Sequence, residues 1–540
     1  MVGLAATFGS GAMTNSINDF DDADLFLVTG SNTTAQHPLI GSRIINAVKK
    51  GARLLLIDPR EIQLAEFADL HLRQNIGTDV AVLNGIMNVI IEEDLFDKEF
   101  VEARTEGFEQ LKEIVCRYPP QVVEKISGIA SHDLKKAARM YAKADKAMLA
   151  YAMGITQHTT GVDNVKTCAN LAMLTGNLGR PATGVNPLRG QSNVQGACDM
   201  GGLPNVYSGY QPVIDAAVKK KFEDAWGVTG LDDKAGLTIT DMMIAAQKGE
   251  LKALYVMGEN PLLSDPDTSH IEHALSNLDF LVVQDIFLSE TAAKADVVLP
   301  AASFAEKEGT YTNTERRVQL SGKAISSPGQ ARPDWQIICE LSTLAGYPMN
   351  YQTTADIMKE INAVTPSYAG ITYERLERGF GLQWPCPSAE HPGTPYLHKD
   401  KFSKGKGTFL PCEFKPVAEM PDEEYNFMLT TGRIYYHYHT GTMTRRTSIL
   451  DREAPSALVE IHPDDAKKLG IRNNEVVELT SRRGSIKLKA EVTKRVPQNV
   501  VFSTFHFHEA PVNLLTNSAY DPVAKIPEYK GCAVKIRRCT

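Results

Sequence analysis

The chain has 540 residues, 43% hydrophobic and 23% charged, with a formal net charge of −8 at pH 7. That length is too great for one hydrophobic core and implies roughly three or four domains. The negative balance argues against nucleic acid as a partner, and no apolar run reaches the roughly 18–20 residues of a membrane span.

The opening Met1-Val-Gly-Leu-Ala-Ala-Thr lacks a basic n-region, so no signal peptide is expected and the location reads as cytoplasmic. Asp24–Gly30 reads as a buried parallel strand ending in glycine, followed by a helix over Ile40–Lys50 and a second strand, Arg53–Asp58, closed by Pro59-Arg60. Strand, crossover helix, strand is the order of a doubly wound sheet, whose ligands lie beyond the carboxyl ends of the strands. That rule sets Gly30, Ser31, Asn32, Asp58, Pro59 and Arg60 along one crevice.

The loop Asn186–Gly202 has no hydrophobic periodicity and holds Arg189, the amides Gln191, Asn193 and Gln195, and four glycines. Amides donate and accept at once, which suits a heterocycle edged with N–H and C=O groups. A guanidinium is a two-point anion clamp, and no carboxylate lies within nine residues of Arg189. A ligand-binding loop is the expectation. Cys198 within it reads as a small packing residue.

The strand-end grammar then repeats. Ala253–Pro261 parallels Leu25–Asn32, Leu281–Asp285 parallels Leu54–Asp58, and Ala295–Pro300 supplies a further strand. A duplicated nucleotide-binding half can hold two nucleotide-like tails. The run Ala305–Arg317, with glycine, hydroxyls and paired arginines, suits a loop across a pyrophosphate, although charge runs of this kind commonly face water. Residues 330–400 read as connecting helices and loops. From about Glu424, short alternating strands at 427–431, 457–462, 475–480 and 485–489, with a helix over 464–470, imply a compact β-barrel. His437/His439 and His506/His508 stand at i,i+2, which puts both rings on one face if the segments are strands. Without nearby cysteines or acids they give no metal site. The eight cysteines are scattered with no CxxC, as free thiols in a reducing compartment would be.

The segments Met173–Gly179 and Gly184–Gly196 resemble the molybdopterin oxidoreductase superfamily and, within it, the catalytic subunit of molybdenum- or tungsten-dependent formate dehydrogenases; the likeness runs to Cys532-Ala-Val534. The resemblance implies two doubly wound α/β dinucleotide-binding domains (1–190 and 191–330), a connector (331–404) and a C-terminal β-barrel (405–540). It implies a molybdenum or tungsten ion held by two pterin guanine dinucleotides. The matching positions are Gly30, Asn32, Asp58, Arg60, Gly77, Asp79, Gly154 and Gln157 in the first half, with Gln191, Asn193 and Gln195 in the loop. Gly258, Glu259, Asn260, Gln284, Asp285 and Asp296 match in the second half, and Thr431, Arg433, His437, His439, Phe505, Asn513, Tyr529 and Lys530 in the barrel. Strand-end acids such as Asp58 can accept from the N1–H and amine of guanine.

By the same resemblance, Arg189 clamps the formate carboxylate and the reaction is HCOO⁻ ⇌ CO₂ + H⁺ + 2e⁻. A 4Fe-4S cluster and the selenocysteine- or cysteine-His pair would belong to a preceding segment of the same subunit, without which this chain would be inactive. Electrons would pass to iron–sulfur, NAD(P)- or hydrogenase-type partner subunits. Two rival readings are a related enzyme such as nitrate reductase and a cofactor-free structural subunit like that of respiratory complex I. The retained Arg189 favours formate over the first, and the intact amides and strand-end acids weigh against the second.

Overall fold

In a computed structural model that describes residues 1–539, the apolar runs become strands close to their expected bounds. β1 (Leu25–Thr29), β2 (Arg53–Ile57), β3 (Leu70–Leu72), β4 (Ala147–Tyr151) and β5 (Gly184–Pro187) form a parallel sheet in the order β3-β2-β1-β4-β5. Successive side chains point to opposite faces. Leu25, Leu27, Leu55 and Ile57 enter one core, while Phe26, Val28, Leu54 and Leu56 enter another. Both faces are covered, which is why β1 reads as an unbroken apolar run. Helix α1 (Pro38–Lys49) places Ile40, Ile44 and Ala47 in the second core. Helices α2 (Asp79–Glu92) and α3 (Gly161–Leu174) supply the first.

The chain divides into two units. The first joins Met1–Leu188, Leu262–Ile271 and the chain from Tyr396 onward; the second joins Arg189–Pro261 and Glu272–Pro395. The helices and loops of 331–395 thus belong to the unit that holds the repeated strands.

In that second unit, α4 (Val194–Asp199) forms inside the stretch 186–202 expected as a loop, so that Gln195 stands on a short helix. β6 (Ala253–Met257), β7 (Phe280–Asp285) and β8 (Val297–Pro300) form a parallel sheet in the order β8-β7-β6, the same order as β3-β2-β1. The likeness extends to hydrogen bonds. Leu54 N–H donates to Asp69 Oδ2 at 2.9 Å and Asp69 N–H returns to Leu54 O at 2.9 Å; Leu281 N–H donates to Asp296 Oδ2 at 2.7 Å and Asp296 N–H returns to Leu281 O at 2.9 Å. Both clasps sit at the amino ends of their sheets. The following hairpin pairs β9 (Gly309–Thr312) with β10 (Arg317–Ser321).

In the first unit, β11 (Phe427–Gly432), β12 (Leu458–Ile461), β13 (Val476–Thr480), β14 (Ser485–Val492), β15 (Val500–Thr504) and β16 (Cys532–Arg538) close a barrel in the order β11-β15-β12-β14-β13-β16. Its core includes Leu429, Val459, Ile461, Leu479, Leu488, Val501 and Val534. Two side chains of the connection between β15 and β16 tie back to the α/β part of the unit. Asp521 Oδ2 accepts Val162 N–H at 2.9 Å in the first turn of α3, and Glu528 Oε1 accepts Thr159 N–H at 3.1 Å. No helix among the described residues is long and apolar enough to cross a membrane.

Candidate functional site

The first unit gathers its strand ends around one cleft, with about 700 Å³ of open space including the mouth. At the end of β1, Gly30 takes φ +56°, and its N–H donates to Ile57 O at 3.3 Å. Gly154 packs directly on it: its N–H donates to Gly30 O at 3.0 Å, and a Cβ at Gly154 would stand 2.5 Å from that same oxygen. Two glycines are required here because backbone meets backbone. At the end of β2, Asp58 Oδ1 accepts Arg60 N–H at 2.9 Å. The cleft is lined by eleven residues expected from the sequence: Gly30, Asn32, Asp58, Pro59, Arg60, Gly77, Asp79, Gly154, Thr431, Arg433 and Lys530. Gln74, His158 and Phe502 also line the cleft. No local spacing marks them, since the fold alone brings them near the strand ends.

Charge in the cleft is mixed and partly desolvated. Burial raises the Asp58 carboxyl to about 6, against the pull of the Arg60 backbone N–H and guanidinium. Burial also raises Asp79, which accepts Gln74 Nε2 at 3.1 Å. Burial lowers Lys530 to about 7, with Arg60 adding to the effect, and its ammonium donates to Thr431 O at 2.6 Å. Arg60 grips Glu460 through Nη2 at 2.8 and 2.9 Å and lies 3.4 Å over the Phe502 ring. Buried Gln74 Oε1 and Arg60 Nε have no hydrogen-bond partner among the described residues. A buried polar atom left so is costly unless a ligand satisfies it. Three cations, two acids and a glycine floor fit a phosphate-bearing nucleotide, with the cations toward phosphate and the acids toward donor edges of a base.

In the second unit the repeat places Gly258 (φ +65°) at the end of β6, where its N–H donates to Gln284 O at 2.9 Å, as Gly30 does to Ile57. Asp285 Oδ1 accepts Ile286 N–H at 2.6 Å, and burial raises its pKa. Glu259 is exposed beside them. Asn260 is a brace: its Oδ1 accepts Thr291 Oγ1 at 2.7 Å and its Nδ2 donates to Glu290 at 2.7 Å. Gln284 accepts the Tyr255 hydroxyl and donates to Asp334 at 2.7 Å. Asp296 stands at the opposite, amino end of the sheet in the clasp with Leu281. The paired arginines of 305–317 serve inside the unit. Arg316, fully buried with φ +67°, donates to the carbonyls of Thr394 and Pro395 at 2.9 and 3.2 Å. Arg317 pairs with Glu315 at 2.8 Å.

The histidine pairs are not on strands. His437 and His439 lie in the loop after β11, and His506 and His508 in the loop after β15, so i,i+2 spacing no longer aligns their rings. His437 Nε2 meets Ala454 O at 2.7 Å and its Nδ1 meets Thr444 Oγ1 at 3.2 Å. His506 accepts Ile434 N–H at Nε2 (3.1 Å) and donates from Nδ1 to His439 O, with burial lowering its pKa to about 3. Asn513 Nδ2 donates to Leu263 O and Ser264 O at 2.9 and 3.0 Å, Tyr529 bonds Ser264 O at 3.0 Å, and Phe505 packs on His506. Gln157 follows the Gly154 turn without lining the cleft.

The amide loop is ordered from within the second unit. Asn193 Oδ1 accepts Thr312 N–H at 2.8 Å, while Gln191 is exposed. Arg189 donates from Nε to Gln195 Oε1 at 2.9 Å, and its backbone N–H donates to Thr314 Oγ1 at 3.0 Å. Gln195 Nε2 in turn donates to Asp199 Oδ1 at 2.7 Å.

Two family models match the sequence: "Molybdopterin oxidoreductase" over residues 4–344 and "Molydopterin dinucleotide binding domain" over residues 427–533. The F420-dependent formate dehydrogenase subunit alpha of Methanocaldococcus jannaschii is 55% identical, the match covering 100% of this chain and 80% of that one. Formate dehydrogenase H of Escherichia coli is 42% identical, over 99% and 76%. Among solved structures, the acetylene hydratase from Pelobacter acetylenicus superposes with a TM-score of 0.78 at 22% identity, covering 100% of this chain and 80% of that one, a likeness of fold.

Proposed function

We propose that this chain acts as the catalytic subunit of a formate dehydrogenase, from the premise that it belongs to the molybdopterin oxidoreductase family. A molybdenum or tungsten ion with its pterin ligands, when bound, supplies the two-electron chemistry of HCOO⁻ ⇌ CO₂ + H⁺ + 2e⁻. The chain's own residues bind and orient. Arg60, Arg433 and Lys530 would hold the phosphates of one pterin guanine dinucleotide. Asp58 would accept from the guanine edge, and the Gly30–Gly154 contact lets the backbone come close. Gly258, Glu259 and Asp285 repeat part of that arrangement for a second dinucleotide.

The observation that carries the formate reading is Arg189. Its guanidinium is oriented from the Nε edge by a neutral amide, so that edge is fixed by a partner that carries no charge. A guanidinium suits a small carboxylate because its planar fork can donate two parallel bonds. The names of the two relatives support formate as substrate, and that of the first supports F420 as the electron acceptor; an iron–sulfur cluster and a partner subunit, which those names do not mention, would carry the electrons to it.

The test is Arg189→Lys in the assembled, metal-loaded enzyme. Metal and pterin content should hold while kcat/KM for formate falls about 30- to 1000-fold, the scale of one positioned electrostatic group. Near-normal turnover per metal would refute the clamp. Formate-driven reduction of F420 by the wild type checks the acceptor, and its absence alongside reduction of viologen dyes would refute F420.

A further inference from the structure

Asp199, at the end of α4, is a carboxylate 1% exposed and ringed by donors. Its Oδ1 accepts Gln195 Nε2 at 2.7 Å and the Tyr210 hydroxyl at 2.7 Å. Its Oδ2 accepts the Tyr368 hydroxyl at 2.6 Å and Trp384 Nε1 at 2.7 Å. Among the described residues no cation lies within ion-pair distance of it. Burial raises its pKa while these four bonds pull the other way. Two of the donors, the amide N–H and the indole N–H, cannot accept, so the arrangement suits the anion. An anion buried without a direct counter-ion is costly, and its cost is met through a bridge: the Gln195 amide turns its NH₂ to Asp199 and its oxygen to Arg189 Nε.

We propose that Asp199 is a positioning residue which, through the Gln195 amide, fixes the orientation of Arg189 for its small anionic substrate. The inference rests on the reading of Arg189 as the anion clamp. The bridge passes polarity as well as position. The carboxylate dictates which way round the amide lies, and only that orientation offers Arg189 an acceptor.

The polarity can be reversed by substitution. In Asp199→Asn the side chain must set its oxygen toward Trp384, which can only donate, and its NH₂ toward Gln195. The amide then flips or parts, and its NH₂ faces Arg189 donor to donor. Adding Gln195→Glu restores an acceptor on both sides: the amide introduced at position 199 donates to the new carboxylate, and so does Arg189. Tyr210, whose hydroxyl now donates to Asp199 and accepts from Gln195 at 2.9 Å, keeps one bond of each kind in the reversed arrangement.

The experiment compares wild type, Asp199→Asn and the double variant as metal-loaded enzymes, reading kcat/KM for formate per bound metal and, independently of turnover, azide binding by calorimetry. The single variant should lose about ten- to hundredfold in kcat/KM and weaken azide binding in the same direction, at unchanged metal content, and the double variant should recover most of both. Unchanged azide affinity in Asp199→Asn would overturn the proposal. So would a double variant that folds and loads metal but binds azide no better than the single one. If the single variant fails to fold, the double variant against wild type still decides, because a purely structural anion at 199 would not be replaced by one at 195. Azide results as expected in an enzyme that does not turn over formate would overturn the formate reading and keep the positioning role.

Discussion

Arg60 and Glu460, 400 residues apart in sequence, are held by two hydrogen bonds from one guanidinium nitrogen at 2.8 and 2.9 Å, with side chains 13% and 7% exposed. The pair links the end of β2 to barrel strand β12, and Phe502 stacks on the guanidinium from β15. Arg60 therefore shapes the cleft wall as well as charging it.

Glu460→Gln should expose that double role. The amide keeps its size but loses the charge that balances Arg60 and, at 2.9 Å, Arg495. A loss of about 1–3 kcal/mol in unfolding free energy is expected for a buried pair stripped of one charge. Denaturant titration measures it. A variant as stable as the parent would mean that Phe502 stacking alone holds Arg60.

Gly154→Ala should be far worse than its single methyl suggests. The new Cβ would lie 2.5 Å from Gly30 O and 2.6 Å from Gly30 Cα, and backbone cannot step aside as a side chain can. Overpacking of this kind costs roughly 1–3 kcal/mol or more. Pterin content of the purified variant should fall with its melting temperature. Full pterin occupancy in a destabilised Gly154→Ala protein would show that the cleft floor is not a ligand contact.

Asp58→Asn should separate stability from binding through pH. The folded-state pKa of Asp58 is raised from 3.8 to about 6, so the folded chain holds that proton more tightly. The stabilisation is complete below pH 3.8 and disappears as pH climbs through about 6, at most about 3 kcal/mol for a shift of that size. In the pterin-free chain the variant should flatten this slope and be the more stable of the two at pH 7. In the loaded enzyme it should bind the dinucleotide about tenfold or more weakly, having lost a charge-assisted acceptor. Parallel stability curves for parent and variant between pH 4 and 6 would sink the argument.

Much of this architecture is legible before any coordinates. The unbroken apolar run Leu25–Thr29 is buried on both faces, and its repetition at 253 and 280 shows the duplication, although those strands leave Tyr255, Met257 and Phe280 exposed. What spacing cannot show is which of a strand's two ends a side chain serves. Asp296 resembles a ligand by its place in a repeat, yet its twin is Asp69, and both clasp the amino ends of their sheets. Histidines at i,i+2 look like a face only while the segment is taken for a strand; after β11 and β15 the chain has already turned into loops, so carbonyls and hydroxyls claim the rings. Asp199 escaped because it lies ten residues beyond Arg189 and acts through an amide. Its hydroxyl and indole partners come from 210, 368 and 384, which no local pattern joins.

The cleft takes its walls from Gly30 near one end of the chain and Lys530 near the other. The Asp521 and Glu528 bonds to Val162 and Thr159 secure the turn that follows Gly154. On the ribosome, the glycines and Asp58 emerge hundreds of residues before the lysine and the carboxylates that complete their surroundings. The cleft is therefore half-built until Lys530 has emerged, and a dinucleotide held by all of these residues would have to enter after that point.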